Sequence, residues 1–224
     1  MTPDTRIREL DAARGFCILS MVAIHLIYDL TELYPILNWE YPPIFSFLKD
    51  WGGTVFFLIS GISATLGHRH LRRGLTVLGC AAVVSAVTRM AGMPVRFGVL
   101  HALAVCMLLW QFFRGASPKT LLISGIVFAA VGFLFSHVTV PVTFLYPLGL
   151  TAPDFASADF FPLLPYGGYF LIGAYCGKTL YRNKTSPFSR VPDFPFLCLC
   201  GRHSLVIYLI HQPVLVLLIE LISA

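Results

Sequence analysis

Three polar residues punctuate an otherwise apolar run, RGFCILSMVAIHLIYDL, residues 14–30. Arg14 opens it, His25 lies eleven residues on, and Asp29 follows four residues later. On an α-helix, an eleven-residue spacing brings Arg14 and His25 to within about 20° of one face, separated by roughly 16 Å along the axis. Asp29 falls one turn beyond His25 on that face, and Asp11 lies close to it, three residues before Arg14. A histidine with a carboxylate one turn away is equipped for general-base work, because the carboxylate can select the tautomer and stabilise imidazolium. An arginine at the mouth of such a helix suits a phosphate. The competing reading is structural: Arg14 snorkels to lipid headgroups, Asp29 sits at the outer interface, and His25 bonds a neighbouring helix.

Further polar residues interrupt other apolar runs. Arg96 and His101 flank FGVL in RFGVLHALAVCML, and Tyr208 and His211 lie in SLVIYLIHQPVLV, where Pro213 is expected to kink a helix just after His211. Asp50 and Trp51 open a run that also carries Ser60 and Ser63. His68 and His70 read as solvated or headgroup-facing, His137 as interfacial, and Tyr166 and Tyr169 as packing aromatics. No HExxH pattern occurs, and the six cysteines form no CxxC pair, so they read as small apolar side chains and no metal is expected.

The elements that must position these residues are membrane helices. The chain of 224 residues is 57% hydrophobic and 12% charged, with a mean hydropathy of +0.77. Soluble domains carry about 45–50% apolar and about 25% charged residues. The expected fold class is all-α: a polytopic membrane helix bundle forming a single domain, residues 1–224. About seven transmembrane helices are expected, near 14–32, 52–67, 74–91, 97–113, 120–137, 160–178 and 203–222. PVTFLYPLGL, residues 141–150, is short and proline-interrupted, which fits a re-entrant or interfacial segment or an eighth short span. The N-terminus lacks a small-residue cleavage site, so the first span is expected to stay as an anchor. The glycine-rich stretches GGTVFFLISGIS and PYGGYFLIGAYCG suit close helix contacts.

With the N-terminus cytoplasmic, thirteen Lys and Arg residues fall on inner segments and only Lys49, Arg89 and Arg96 on outer ones. The net charge of +5 is thereby read as topology, not as nucleic-acid binding. The inner segment 179–202 reads as a plain basic connector, and its Asn183-Lys184-Thr185 sequon carries little weight on that side. Ionisable groups in hydrocarbon cost several kcal/mol, so His25 and its partners are expected to face a protein interior or a wet cavity.

Four blocks carry a resemblance. RELDAARGFCILSMVAIHLIYDL, DWGGTVFFLISGISATL, RFGVLHALAVCML and GRHSLVIYLIHQPVL occur in order along nearly the whole chain. They resemble the catalytic domain of the heparan-alpha-glucosaminide N-acetyltransferase family, including its bacterial members. That family looks related to the acyltransferase-3 group, whose first helix has an Arg, ten residues, then a His, the spacing of Arg14 and His25. The resemblance implies acetyl (acyl) transfer across a membrane from acetyl-CoA to a sugar or other hydroxyl or amine on the far side. It places His25, with Asp29, at the reaction centre and Arg14 on the CoA phosphates. Arg96, His101, Asp50, Tyr208 and His211 are then candidates for binding the acceptor. The lysosomal member carries asparagine in place of His25 and uses a histidine in its first luminal loop. No histidine occurs in 31–50 here, which favours the acyltransferase-3-like use of His25. The expected partners are acyl-CoA, a glycan or lipid-linked sugar, and membrane lipids, with no nucleic acid and a homo-oligomer left open. The expected location is a bacterial inner membrane. The alternative is a small transporter using intramembrane His and Asp as a proton relay, although no internal repeat is visible.

Overall fold

The computed structural model describes residues 7–40, 42–188 and 194–223, apart from the side chains of Asp50 and Ser223. Every apolar run is helical, as backbone hydrogen bonding in hydrocarbon demands. The helices are α1 (Arg8–Tyr28), α2 (Pro43–Leu66), α3 (His70–Met90), α4 (Val99–Phe113), α5 (Pro118–Phe135), α6 (Leu163–Leu180), α7 (Pro195–Arg202) and α8 (Ser204–Ser223). A π-helical turn, Asp29–Leu33, extends α1. Among the described residues, extended pairing is confined to two isolated bridges, Phe97 with Phe160 and Thr139 with Thr151.

Each of the seven runs expected to span lies largely within a helix, on α1, α2, α3, α4, α5, α6 and α8 in turn. Among the described residues, four stretches are long and apolar enough to cross a membrane: Arg8–Leu33, His70–Met90, Pro118–Phe135 and Ser204–Ile222. Trp51–Leu66 and Val99–Phe113 are shorter apolar helices. The 15 residues of α4 reach only about 22 Å, against a hydrocarbon core of about 30 Å. α6 is rich in glycine and tyrosine because it is an inner helix, with Gly167, Gly168, Phe170, Leu171, Gly173, Ala174 and Gly177 all buried. The segment 141–150 forms no span; it holds a single 3-10 turn, Tyr146–Leu148.

The chain divides into two compact units, Met1–Phe56 with Thr185–Ala224, and Phe57–Lys184. In the first, α7 packs along the first half of α1. It arises inside the segment that reads from sequence as a plain connector, because eight residues starting at Pro195 are too few to register as a span. The crossing depends on two glycines. A Cβ on Gly15 would collide with the Leu197 carbonyl, and one on Gly201 with the Asp11 carbonyl. The two backbones are therefore in direct contact. Cys198 and Cys200 are buried on α7, and the Cys198 thiol points to the Arg8 carbonyl at 3.5 Å.

In the second unit, α6 is the hub. Gly125 of α5 and Gly168 of α6 approach backbone to backbone, and Gly173 leaves no room for a Cβ beside the Leu58 carbonyl of α2. Phe57 is wholly buried between Phe161 and Tyr166, at ring separations of 6.2 and 5.1 Å. One end of this unit gathers Arg114, Lys178, Arg182 and Lys184 around a cavity with the α2–α3 turn. Arg96 and His101 lie at the opposite end of α4.

Candidate active site

The polar centre of the first unit forms where the last turns of α1 meet α8. The rings of His25 and His211 stand edge to face, with centroids 4.9 Å apart at 67°. His25 Nδ1 lies 2.9 Å from the Met21 carbonyl, and His211 Nδ1 lies 2.6 Å from the Tyr208 carbonyl. A carbonyl only accepts, so in each ring Nδ1 carries the hydrogen and donates it. The neutral tautomer then leaves Nε2 as the basic nitrogen of both imidazoles. His211 Nε2 is buried with no hydrogen-bond partner among the described residues. Two imidazolium charges at 4.9 Å would repel by about 3 kcal/mol at an effective dielectric of about 20.

Asp29 stands one turn further on, 1% exposed. The expected bond from this carboxylate to His25 is not the one observed. Gln212 Nε2 donates to both carboxylate oxygens, at 2.9 and 2.8 Å. The reason is local. The backbone widens into a π turn at Asp29, with the Tyr34 N–H donating to the Asp29 carbonyl at 2.8 Å, while His25 takes its own helix carbonyl as tautomer-setting partner. π turns inside α-helices are frequent at functional sites. Gln212 Oε1 is a second buried acceptor without a partner among the described residues. Tyr208 lies against His211, ring centroids 5.6 Å apart. His25, Asp29, Tyr208 and His211, four residues singled out from sequence, are thus gathered in one place together with Gln212, which was not. A glutamine in the apolar run SLVIYLIHQPVLV was the available signal, since polar side chains in membrane helices bond across helices.

Arg14 lies about three turns from His25 toward the start of α1, its side chain 24% exposed. It donates to Asp11 Oδ1 at 3.0 Å. Arg202, from the end of α7, approaches Asp11 Oδ2 at 3.5 Å. Asp11 is 5% exposed, as a buried carboxylate between two guanidiniums can be. Two guanidiniums from different helices thus converge on one carboxylate. Sequence reasoning used Arg202 only for topology; the α7 fold brings it to Asp11.

Arg96 and His101 belong to the second unit. The Arg96 guanidinium stacks over Phe155 at 5.3 Å, and its backbone N–H donates to Ser157 Oγ at 3.1 Å. His101 is fully engaged. Its Nδ1 accepts from the Gly98 N–H at 3.3 Å, which puts the hydrogen on Nε2, 3.3 Å from Ser85 Oγ. Ser85 in turn donates to the Val95 carbonyl at 2.7 Å. Together with Asp159 Oδ2, which accepts from the Val99 N–H at 3.0 Å, His101 caps the start of α4. Asp50 has its side chain outside the described residues. Among the described residues, no group of three or more His, Cys, Asp or Glu side chains is placed to hold a metal ion.

The family described as heparan-alpha-glucosaminide N-acetyltransferase, catalytic, matches residues 6–213. The chain belongs to that family. The match takes in α1 whole and runs to Pro213 on α8, so both histidines, Asp29 and Gln212 lie within it. No curated protein and no solved structure matches the chain. Membership in the heparan-alpha-glucosaminide N-acetyltransferase catalytic family, with helices apolar enough to span, makes the chain a membrane acetyltransferase. Enzymes of this type use acetyl-CoA as donor.

Proposed function

We propose that this chain transfers an acetyl group from cytoplasmic acetyl-CoA to a hydroxyl or amine at the outer side of a bacterial inner membrane, with His25 as general base. The acceptor is a glycan or lipid-linked sugar. The observation that carries the reading is the pair of imidazoles at 4.9 Å. Each has Nδ1 locked on a carbonyl and Nε2 left as a base, one on α1 and one on α8.

In this reading His25 Nε2 takes the proton of the acceptor O–H or N–H as that atom bonds to the acetyl carbonyl carbon. The C–S bond breaks, the CoA sulfur leaves as thiolate, and the proton is returned to it. His211, unable to share a second positive charge, stays neutral beside the imidazolium. Asp29, held by Gln212, supplies the nearby negative charge that favours imidazolium. Arg14 and Arg202, gathered at Asp11, hold the anionic end of the donor. Arg96, exposed at the far end of the second unit, is a candidate for the acceptor; His101 positions α4. The topology that supports cytoplasmic donor entry has the N-terminus inside, with α2, α4 and α6 crossing beside α1, α3, α5 and α8.

The test is acetyl transfer from radiolabelled acetyl-CoA to an oligosaccharide or amine acceptor by purified protein in proteoliposomes. His25→Ala is expected to lower kcat at least about 100-fold, the range of a lost general base, with the melting temperature near that of wild type. A folded His25→Ala protein with wild-type kcat would overturn the assignment of the base.

A further inference from the structure

A second concentration of charge lies in the unit Phe57–Lys184, at the end remote from Arg96. The α2–α3 turn, the end of α4, the start of α5 and the end of α6 enclose a cavity of about 390 Å³. That volume falls within the range of roughly 300–1,000 Å³ usual for small-molecule sites. His68, His70, Arg114, Lys178, Arg182 and Lys184 line it, with Trp110 beneath. The Arg73 guanidinium adds a further cation at its rim, 3.6 Å from where a Cβ on Gly67 would stand.

No carboxylate lines this cavity. The stretch 57–184 contains only two acidic residues, Asp154 and Asp159, and Asp159 is occupied at the start of α4. The positive-inside bias explains cations in inner segments, but not why they converge on a concave surface without counter-charge. Near α1 the same chain sets Asp11 between its arginines. Here, among the described residues, no ion pair neutralises Arg114, Lys178, Arg182 or Lys184. Cations crowded around one hollow repel each other, and an anion entering it relieves all of those repulsions together.

The donors suit phosphate. Two guanidinium forks, Arg114 and Arg182, match phosphate oxygens bidentately. Lys178 already donates to the Arg114 and Ala116 carbonyls at 2.8 and 2.7 Å. Its ammonium is thereby fixed, and one of its three N–H groups is left for a ligand.

We propose that this cavity binds a phosphate monoester or diphosphate: the 3′-phosphorylated ADP end of CoA, or the headgroup of an anionic lipid. The first source rests on the acetyl-CoA reading above and would move the donor's anionic end from Arg14 and Arg202 to this cavity; the second does neither. Arg182 and Lys184 are the residues to change, because both are exposed beyond the end of α6 and neither caps a helix.

The experiment compares wild type with Arg182→Gln/Lys184→Gln, and with Arg114→Gln as an independent variant, in phosphatidylcholine nanodiscs. The probes are adenosine 3′,5′-bisphosphate, which has no thioester, and added phosphatidylglycerol. If the cavity holds the nucleotide, the double variant binds the bisphosphate at least about tenfold more weakly and wild-type binding weakens with salt. If it holds lipid, the bisphosphate does not bind there, and the melting-point rise produced by phosphatidylglycerol in wild type shrinks in both variants. Variants that are folded and match wild type with both probes overturn the proposal. Acetyl transfer measured on the same preparations separates the two readings. Wild-type transfer with no effect of either variant rejects CoA as the occupant and leaves the enzyme; the cavity as a whole is rejected when both probes also fail to distinguish the variants. Phosphate-dependent binding without transfer from any acyl-CoA rejects the enzyme reading and leaves the cavity.

Discussion

Gln212→Leu tests whether the polar centre is a designed pairing or an accident of packing. Asp29 is 1% exposed, and its carboxylate receives two hydrogen bonds, both from Gln212 Nε2. Leucine fills similar space and removes both donors. A hydrogen bond to a charged group is worth about 1.5–3 kcal/mol. Two such bonds from one amide nitrogen onto a buried carboxylate put this case at about 3 kcal/mol. For a protein of about this size each kcal/mol moves the melting temperature by about 2–4 °C, so a fall of about 6–12 °C is expected. Thermal unfolding in detergent, followed by intrinsic fluorescence, measures it. Asp29→Asn/Gln212→Leu, which leaves no buried charge, should recover most of the loss, and the cycle isolates the pair. The reasoning is refuted if Gln212→Leu melts within about 2 °C of wild type, or if the double variant is no better than the single.

Two other substitutions follow from the packing. Gly201→Val places a Cβ against the Asp11 carbonyl, and should force α7 off α1 at a cost of about 1–3 kcal/mol, read as a lower melting temperature and faster proteolysis after Lys184. His101→Leu removes both bonds that the ring makes at the start of α4; stability should drop by about 1–2 kcal/mol, while the KM for the acceptor stays unchanged, and a large rise in that KM would return His101 to the binding site.

Sequence pattern read the helices well and their partners poorly, for a physical reason. Hydropathy over about 20 residues and the 3.6-residue period are properties of one segment, so α1, α3, α5 and α8 and the face shared by Arg14, His25 and Asp29 were all legible. The kinships across segments were not. Gln212 belongs to Asp29 across 183 residues, and neither the π turn at Asp29 nor the α7 crossing that delivers Arg202 to Asp11 leaves a periodic trace. α7 is too short to show in a hydropathy window, and the two glycines that permit its contact, Gly15 and Gly201, are individually unremarked.

The misread member is the most informative. The chain spacing made Asp29 the natural orienter of His25, yet a helical histidine can reach the carbonyl one turn behind it, and His25 does so at Met21. His211 repeats the arrangement at Tyr208. Two rings oriented by their own backbones need no carboxylate to choose their tautomers, which frees Asp29 to act only through its charge. The centre therefore separates two tasks that one carboxylate usually combines. Backbone carbonyls orient the two rings, and in the proposed mechanism the buried Asp29–Gln212 pair sets the field in which His25 takes a proton.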